Sequence, residues 1–329
     1  MCMYVYTYLY VLRIFSTKRT ALFLIKNGTC FADAYTYIIL HKYLYTHESI
    51  QLHPYLCPYL YLYVYMCLGS NDMAITFAVA NQKGGVGKTT TAEALSSGLL
   101  QLGYRVLSVD GDQQGNFSYD MQADPDKAGL ADVLDFEMSA QDVIQHTRRG
   151  NIISAGALGA YDAKTAGSGG PYRMQNALSS LQNDFDFIII DTPPSLGQIT
   201  INAFTASNAI IVPALADVYS LQGIGQLYQT IRAVQDVCNK KLIILGVLIA
   251  RYSDRAILNR EVREQLEETA RAIDSKLYRS AIRESVVVRE AQAARISLFD
   301  YAPNSNPALD YWDFINEVLE DCRQQQLFA

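Results

Sequence analysis

From Met73 onward, short apolar runs alternate with longer stretches in which apolar positions recur every three or four residues. The runs are Ile75–Ala80, Val106–Asp110, Ile152–Ser154, Phe187–Asp191, Ala209–Val212 and Leu242–Ile249, and the stretches between them have helical length. Unbroken apolar runs of four to eight residues read as buried strands, and a 3.6-residue period reads as helix. The alternation predicts an α/β fold, a mainly parallel twisted sheet flanked by helices on both faces. Phe187-Ile188-Ile189-Ile190 is apolar at every position, where an edge strand would alternate. It should therefore lie at the sheet centre, with a ligand site outside the carboxyl ends of such strands. Gly167-Ser168-Gly169-Gly170-Pro171 reads as a loop before a helix. With no internal repeat and no low-complexity linker, one domain is expected over residues 73–329.

The first predicted strand runs into Asn81-Gln82-Lys83-Gly84-Gly85-Val86-Gly87-Lys88-Thr89-Thr90-Thr91, and Ala92-Glu93-Ala94-Leu95 then marks a helix. Strand, glycine-rich loop and helix in that order are the context of a phosphate-binding loop. Gly84, Gly85 and Gly87 let backbone N–H groups close on a phosphate, and the helix N-terminus adds partial positive charge. Lys88 supplies a cation to the β- and γ-phosphates, the Thr89 hydroxyl is placed to ligate Mg²⁺, and Thr90 is placed to donate to the α-phosphate. The strict GxxxxGK[ST] pattern fails, because Gln82 stands at its first glycine and a second lysine, Lys83, opens the loop.

That departure carries a resemblance. Lys83-Gly84-Gly85-Val86-Gly87-Lys88-Thr89-Thr90 resembles the deviant Walker A loop of the ParA/MinD family of P-loop ATPases. The resemblance implies ATP and Mg²⁺ as cofactors and a nucleotide-sandwich homodimer, with Lys83 reaching across to the partner's nucleotide. Asp110-Gly111-Asp112-Gln113-Gln114-Gly115-Asn116 resembles the family's DxDPQGN stretch, with Gln113 where proline is usual. By that resemblance Asp112 positions the attacking water and Asp110 supports the metal region; read alone, both could be an Asx-type turn after a strand. Phe187-Ile188-Ile189-Ile190-Asp191-Thr192-Pro193-Pro194 delivers a carboxylate at a strand end, as a Walker B segment must, so Asp191 joins Thr89 and Asp110 around the metal. Gly223-Ile224-Gly225 through Tyr228 and the tail from Tyr301 to Pro307 also resemble ParA-type chains, so the likeness covers Met73–Leu327.

Within the superfamily the residues discriminate further. The nitrogenase iron protein needs mid-chain cysteines, and none lies between Lys88 and Cys238. MinD ends in a basic amphipathic membrane helix, whereas acid and glutamine predominate from Val318 to Ala329, so no membrane partner is expected. The related bacterial tyrosine kinases carry a C-terminal tyrosine cluster that is missing here. DNA partitioning remains, and implies a ParB-like centromere-binding partner, non-specific DNA and a cytoplasmic, nucleoid-associated protein. The alternative is a nucleotide-dependent switch that positions a protein assembly.

Composition alters this picture in two places. In Met1–Asp72, tyrosine alternates with small or apolar residues at Tyr4–Tyr10, Tyr35–Tyr45 and Tyr59–Tyr65. A period of two in β-formers suggests strand, yet Arg13 and Lys18-Arg19 interrupt the first run and Pro54 and Pro58 the third. None reaches the roughly 18 apolar residues of a spanning helix, and no signal-peptide core is present. Tyr alternating with Val, Leu, Thr or Ile is what TA-rich repetitive DNA encodes, so residues 1–72 are expected to be a Tyr-rich extension, non-native or disordered, read from a start codon upstream of Met73. Charge is the second place. The chain carries −6, and the part from Met73 carries −8 because five basic and three acidic residues precede it. Any contact with a polyanion must then be local, and Lys276, Arg279, Arg283, Arg289 and Arg295, opposed along the chain by Glu284 and Glu290 alone, form the candidate DNA-binding stretch. The six cysteines show no metal-ligand spacing, which argues against a zinc site or a disulfide framework.

Overall fold

The computed structural model describes residues 10–16, 19–26, 29–31, 73–135, 137–159, 170–252 and 257–328. These fall into two units divided between Leu68 and Gly69, each described by itself. In the first, β1 (Tyr10–Ser16), β2 (Arg19–Lys26) and β3 (Thr29–Phe31) pair antiparallel in chain order. The tyrosine-alternating stretches at Tyr35–Tyr45 and Tyr59–Tyr65 lie outside the described residues.

The second unit alternates strand and helix as expected: β4 (Ile75–Val79), α1 (Lys88–Gln101), β5 (Val106–Asp110), α2 (Asn116–Asp120), α3 (Leu130–Leu134), β6 (Gln145–Thr147), β7 (Gly150–Ile153), α4 (Arg173–Leu178), β8 (Phe187–Asp191) and α5 (Gln198–Ala206). It continues through β9 (Ala209–Ala214), α6 (Val218–Val237), β10 (Ile243–Tyr252), α7 (Ile257–Ala272), β11 (Leu277–Arg283), α8 (Val286–Ala294), α9 (Leu298–Tyr301) and α10 (Asn306–Gln324). Eight strands form one sheet in the order β11-β10-β9-β4-β8-β5-β7-β6, parallel throughout except for the β6–β7 hairpin. The chain is thus an α/β protein with a mainly parallel sheet, and the loop 167–171 expected before a helix leads into α4, its residues 167–169 lying outside the described part.

Burial explains the strand order. The all-apolar strand β8 sits between β4 and β5, and Ile188, Ile189 and Ile190 are fully buried, each contributing about 1.5–3 kcal/mol of apolar burial. On one face, Leu107, Val109, Ile188 and Ile190 pack with residues of α3, α4 and α5, and Ile210, Val212, Val247 and Ile249 pack with those of α6 and α7. On the other face α1 lies against β4, β5 and β8, and α10 lies against α1 and β11. Phe187 stacks on Phe77 there, and Tyr104 meets it edge-on.

The apolar-run reading passes over β11. Only Tyr278 and Ile282 on this strand are buried, with Arg279 and Arg283 exposed between and after them, so its pattern is that of an edge and not of a centre. An edge strand has unpaired N–H groups that invite another chain. Here α10 supplies the acceptors: Glu317 takes the N–H groups of Arg279 at 3.1 Å and Ser280 at 2.8 Å, and Asp310 takes that of Arg283 at 2.9 Å. Partial burial pushes the Glu317 carboxyl up, but hydrogen bonds from Ser280 and Arg279 hold it below the usual carboxylate range. A depressed folded-state pKa stabilises fully above the ordinary carboxyl range and is lost as pH falls through the folded value.

Glu317→Ala should therefore lower stability at pH 7 by about 2 kcal/mol in urea unfolding, the usual size for breaking a semi-buried network. Asp313→Ala, at an exposed position on the same helix, should change it by less than about 0.5 kcal/mol.

Candidate nucleotide site

The site is assembled by register. Val79, Asp191 and Asp110 are aligned partners across the adjacent strands β4, β8 and β5, so three strand ends reach the same level. Gly111 can follow Asp110 only because it lacks a side chain: its N–H donates to the Asp191 carbonyl at 2.9 Å, and a Cβ there would stand 2.7 Å from that same oxygen. Beyond β4 the chain turns through the glycine loop, and Gly87 starts α1 from the left-handed conformation, φ 90°, which glycine adopts without strain. Asn81 braces the loop's start, accepting the Lys83 N–H at 3.0 Å and donating to the Pro213 carbonyl at 2.7 Å. Thr192 ties β8 to β4 through the Val79 carbonyl at 2.9 Å.

A cavity of about 580 Å³ opens over these strand ends. Gly84, Gly85, Gly87, Lys88, Thr89 and Thr90 line one side of it, with Asp112 and Arg289 among the residues opposite. Val86 is buried beneath the loop. The expected phosphate loop and Asp112 therefore meet in one place. Lys83 does not line the cavity. Its ammonium turns aside to Asp217 at 2.5 Å and lies 5.7 Å from the exposed Tyr219 ring.

The carboxylates divide the work. Asp110 is fully buried and its oxygens are occupied: Oδ1 accepts the Asp112 N–H at 3.1 Å, and Oδ2 accepts both the N–H and the hydroxyl of Ser118 at 2.7 Å. Asp191 takes the Thr89 hydroxyl on Oδ2 at 2.6 Å, while its Oδ1 is buried without a hydrogen-bond partner. An orphaned carboxylate oxygen beside a threonine hydroxyl is a hard-oxygen donor set, so the residues present fit a Mg²⁺ ion. Thr89 and Asp191 would hold it, directly or through its water, with Asp110 behind them. Burial pulls the Lys88 ammonium below the usual lysine range, against the attraction of Asp191 and Asp112. Burial pushes Asp110 up to about 6 despite the Ser118 hydrogen bonds, and burial followed by the charge of Asp110 pushes Asp191 well above the usual range.

The five cations of the candidate DNA stretch are separated by the fold. Lys276 pairs with Asp321 at 2.5 Å, Arg279 with Glu317 at 3.3 Å and Arg283 with Asp310 at 2.5 Å. Arg295 donates to the Tyr119 carbonyl at 2.8 Å and lies over its ring, while Arg289 is exposed at the cavity. The local positive excess counted along the chain needs correcting, because α10 brings three carboxylates to it from 27–45 residues away. Asn81, Ser118, Thr192 and Asp217 were not distinguished by the sequence reading. Only Asp217 had a local signal, as the N-cap of α6 accepting from Ser220.

A protein-family model described as an AAA domain matches residues 74–244. The sporulation initiation inhibitor protein Soj of Bacillus subtilis is 36% identical over 253 residues, 75% of this chain and 98% of that protein. The chain belongs to the ParA/Soj family of ATPases. The chromosome partitioning protein ParA of Caulobacter vibrioides is 34% identical over 271 residues, 80% of this chain and all of that one. The solved cobyrinic acid a,c-diamide synthase of Mycobacterium smegmatis with bound ADP and magnesium superposes with a TM-score of 0.66 at 32% identity, covering 76% of this chain and 96% of that one. As a ParA/Soj-type protein the chain is an ATPase, and ATP and Mg²⁺ are its cofactors. Bound Mg²⁺ would supply positive charge that offsets the phosphates.

Raised carboxylates make the nucleotide-free protein pH-sensitive. A group whose folded pKa lies above its unfolded value stabilises fully below the unfolded pKa and loses that stabilisation as pH rises through the folded one. The unfolded value is 3.8, the folded value is about 6 for Asp110, Asp191 is raised well above the usual range, and Asp120, pushed to about 7 first by burial and then by Glu93, adds in the same direction. Without nucleotide, Tm should therefore fall between pH 5.5 and pH 8 in scanning calorimetry. Saturating Mg²⁺ and ATP should flatten the fall, and Asp110→Asn should reduce it.

Proposed function

We propose that this ATPase closes as a homodimer across ATP, binds DNA without sequence preference in that state, and moves a plasmid or chromosome together with a ParB-like partner in the cytoplasm, on the nucleoid. The proposal includes the domain boundary: residues 73–329 are the working ATPase, since every residue lining the cavity lies between Gly84 and Tyr311. Among the described residues no helix is long and apolar enough to cross a membrane.

One observation carries the reading. Lys88 already serves its own loop, reaching the Lys83 carbonyl at 3.2 Å from within the cavity lining. Lys83 sits on the same loop but points away from that cavity to Asp217. A second cation on a phosphate loop that does not face its own phosphates is available to those of another copy. Partial burial pushes Asp217 up, yet hydrogen bonds from Lys83 and Ser220 hold it below the usual carboxylate range, so the resting contact is a real one that closure has to break. Asp112, on the opposite wall, fits the task of orienting the attacking water, since its Oδ1 is held by the Gln114 N–H at 3.0 Å and it faces the cavity. Orientation is the main demand of phosphoryl transfer to water.

For DNA, Arg289 is the most suitable of the five cations, because it is exposed and is not held by α10. Two copies of it in a closed dimer would act together, so that affinity multiplies through effective concentration. A dimer with paired cationic surfaces favours DNA over a protein cargo, whose binding would not depend so steeply on salt.

Three variants test the cycle in one experiment, with dimer mass read by light scattering and binding to unrelated duplexes read across a salt series. Asp112→Ala should bind ATP, hydrolyse it at least about tenfold more slowly and stay dimeric on DNA. Lys83→Ala should bind ATP but remain monomeric. Arg289→Ala should dimerise normally, bind every duplex more weakly and show a flatter dependence on salt, because fewer counterions are released. Nucleotide-independent DNA binding, or ATP-dependent dimers in Lys83→Ala, would overturn the proposal.

A further inference from the structure

Past Thr90 lie polar side chains that phosphate-loop chemistry leaves without a task, Asp120 and Gln292 in the cavity lining and Glu93 and Arg149 in a smaller pocket beside it. Asp120 ends α2, Gln292 stands on α8, Glu93 lies one turn into α1, and Arg149 is in the β6–β7 turn. Glu93 is buried, ion-paired to Arg149 and bonded by the Ser97 hydroxyl at 2.8 Å. Arg149 in turn donates to the Asp120 backbone carbonyl at 3.3 Å and to the Ser97 hydroxyl at 3.2 Å. The end of α2 is thereby anchored, and Asp120 and Gln292 both line the cavity beside Thr90. Gln292 then reaches the phosphate loop, its Nε2 donating to Thr90 Oγ1 at 3.1 Å.

The direction of these bonds matters. The Nε2 of glutamine can only donate, whereas a hydroxyl can both accept and donate. A hydroxyl oxygen that already accepts a hydrogen bond is left with its own proton to give. Thr90 lines the cavity at the start of α1, so that proton is available to a group bound there.

We infer that Gln292 is a positioning residue for nucleotide binding: its bond to Thr90 fixes the Thr90 hydroxyl as a donor toward the nucleotide's α-phosphate. The inference rests on the phosphate-loop reading of Lys83–Thr90. It makes α8, which also carries Arg289, a part of the nucleotide site as well as a surface element.

The test is a double-mutant cycle on the full chain, with ATP–Mg²⁺ affinity measured by titration calorimetry. Gln292→Met keeps the volume and loses the donor, and Gln292→Ala is run beside it in case methionine packs poorly. Each Gln292 variant and Thr90→Val should lose about tenfold in affinity, the scale of one charge-assisted hydrogen bond. The double variant should lose no more than Thr90→Val alone, and Thr90→Ser should bind as the wild type does and remain sensitive to Gln292→Met. Nucleotide-free Tm should move little in all of them. Additive losses, or full affinity in both Gln292 variants, would overturn the inference. Unimpaired binding in Lys88→Ala would instead overturn the phosphate-loop reading beneath it.

Discussion

Two carboxylates in register at the buried ends of neighbouring parallel strands set the terms for everything around them. Asp110 and Asp191 are both fully buried, and like charges in a poorly solvated place cannot both ionise without compensation. The fold answers with local donors: Ser118 and the Asp112 N–H for Asp110, and Thr89 and the Lys88 charge for Asp191. These are enough to hold the carboxyl groups in place but not enough to return them to ordinary acidity. One oxygen is left with no partner at all. The protein without ligand is therefore an incomplete electrostatic arrangement, and a cation bound with phosphate completes it. Burial lowers the Lys88 ammonium for the same reason, so the loop cation and the strand acids are each costly alone and favourable together.

How much of this could be read beforehand depended on whether the signal was local. The central strands announced themselves because burial on both faces demands an unbroken apolar run, as in Phe187–Ile190. The phosphate loop was legible because its chemistry needs particular residues at consecutive positions. Where a residue's meaning comes from a distant partner, the chain gave no warning. The strand β11 looked like one more basic stretch, since the acids that neutralise Lys276, Arg279 and Arg283 come from α10. Ser118 and Asn81 look like ordinary polar residues until the carboxylate and the carbonyl they serve are seen. The pairing of Lys83 with Asp217 spans 134 residues, beyond any periodicity.

Helix α8 illustrates how closely the ligand site and the outer surface are joined. Its N-cap, Ser285, accepts from Val287, and it brings both the exposed Arg289 and Gln292, nearly one turn on, to the cavity, where Gln292 touches Thr90.

The carboxylates that α10 lays along β11 have a consequence for the protein as a population of molecules. A parallel sheet with a bare outer strand can recruit a like strand from any neighbour, nucleotide or not, and keep recruiting. With its Arg279, Ser280 and Arg283 donors already satisfied from within, this outer strand has little to offer a second chain. Self-association by strand addition is thereby disfavoured at that border.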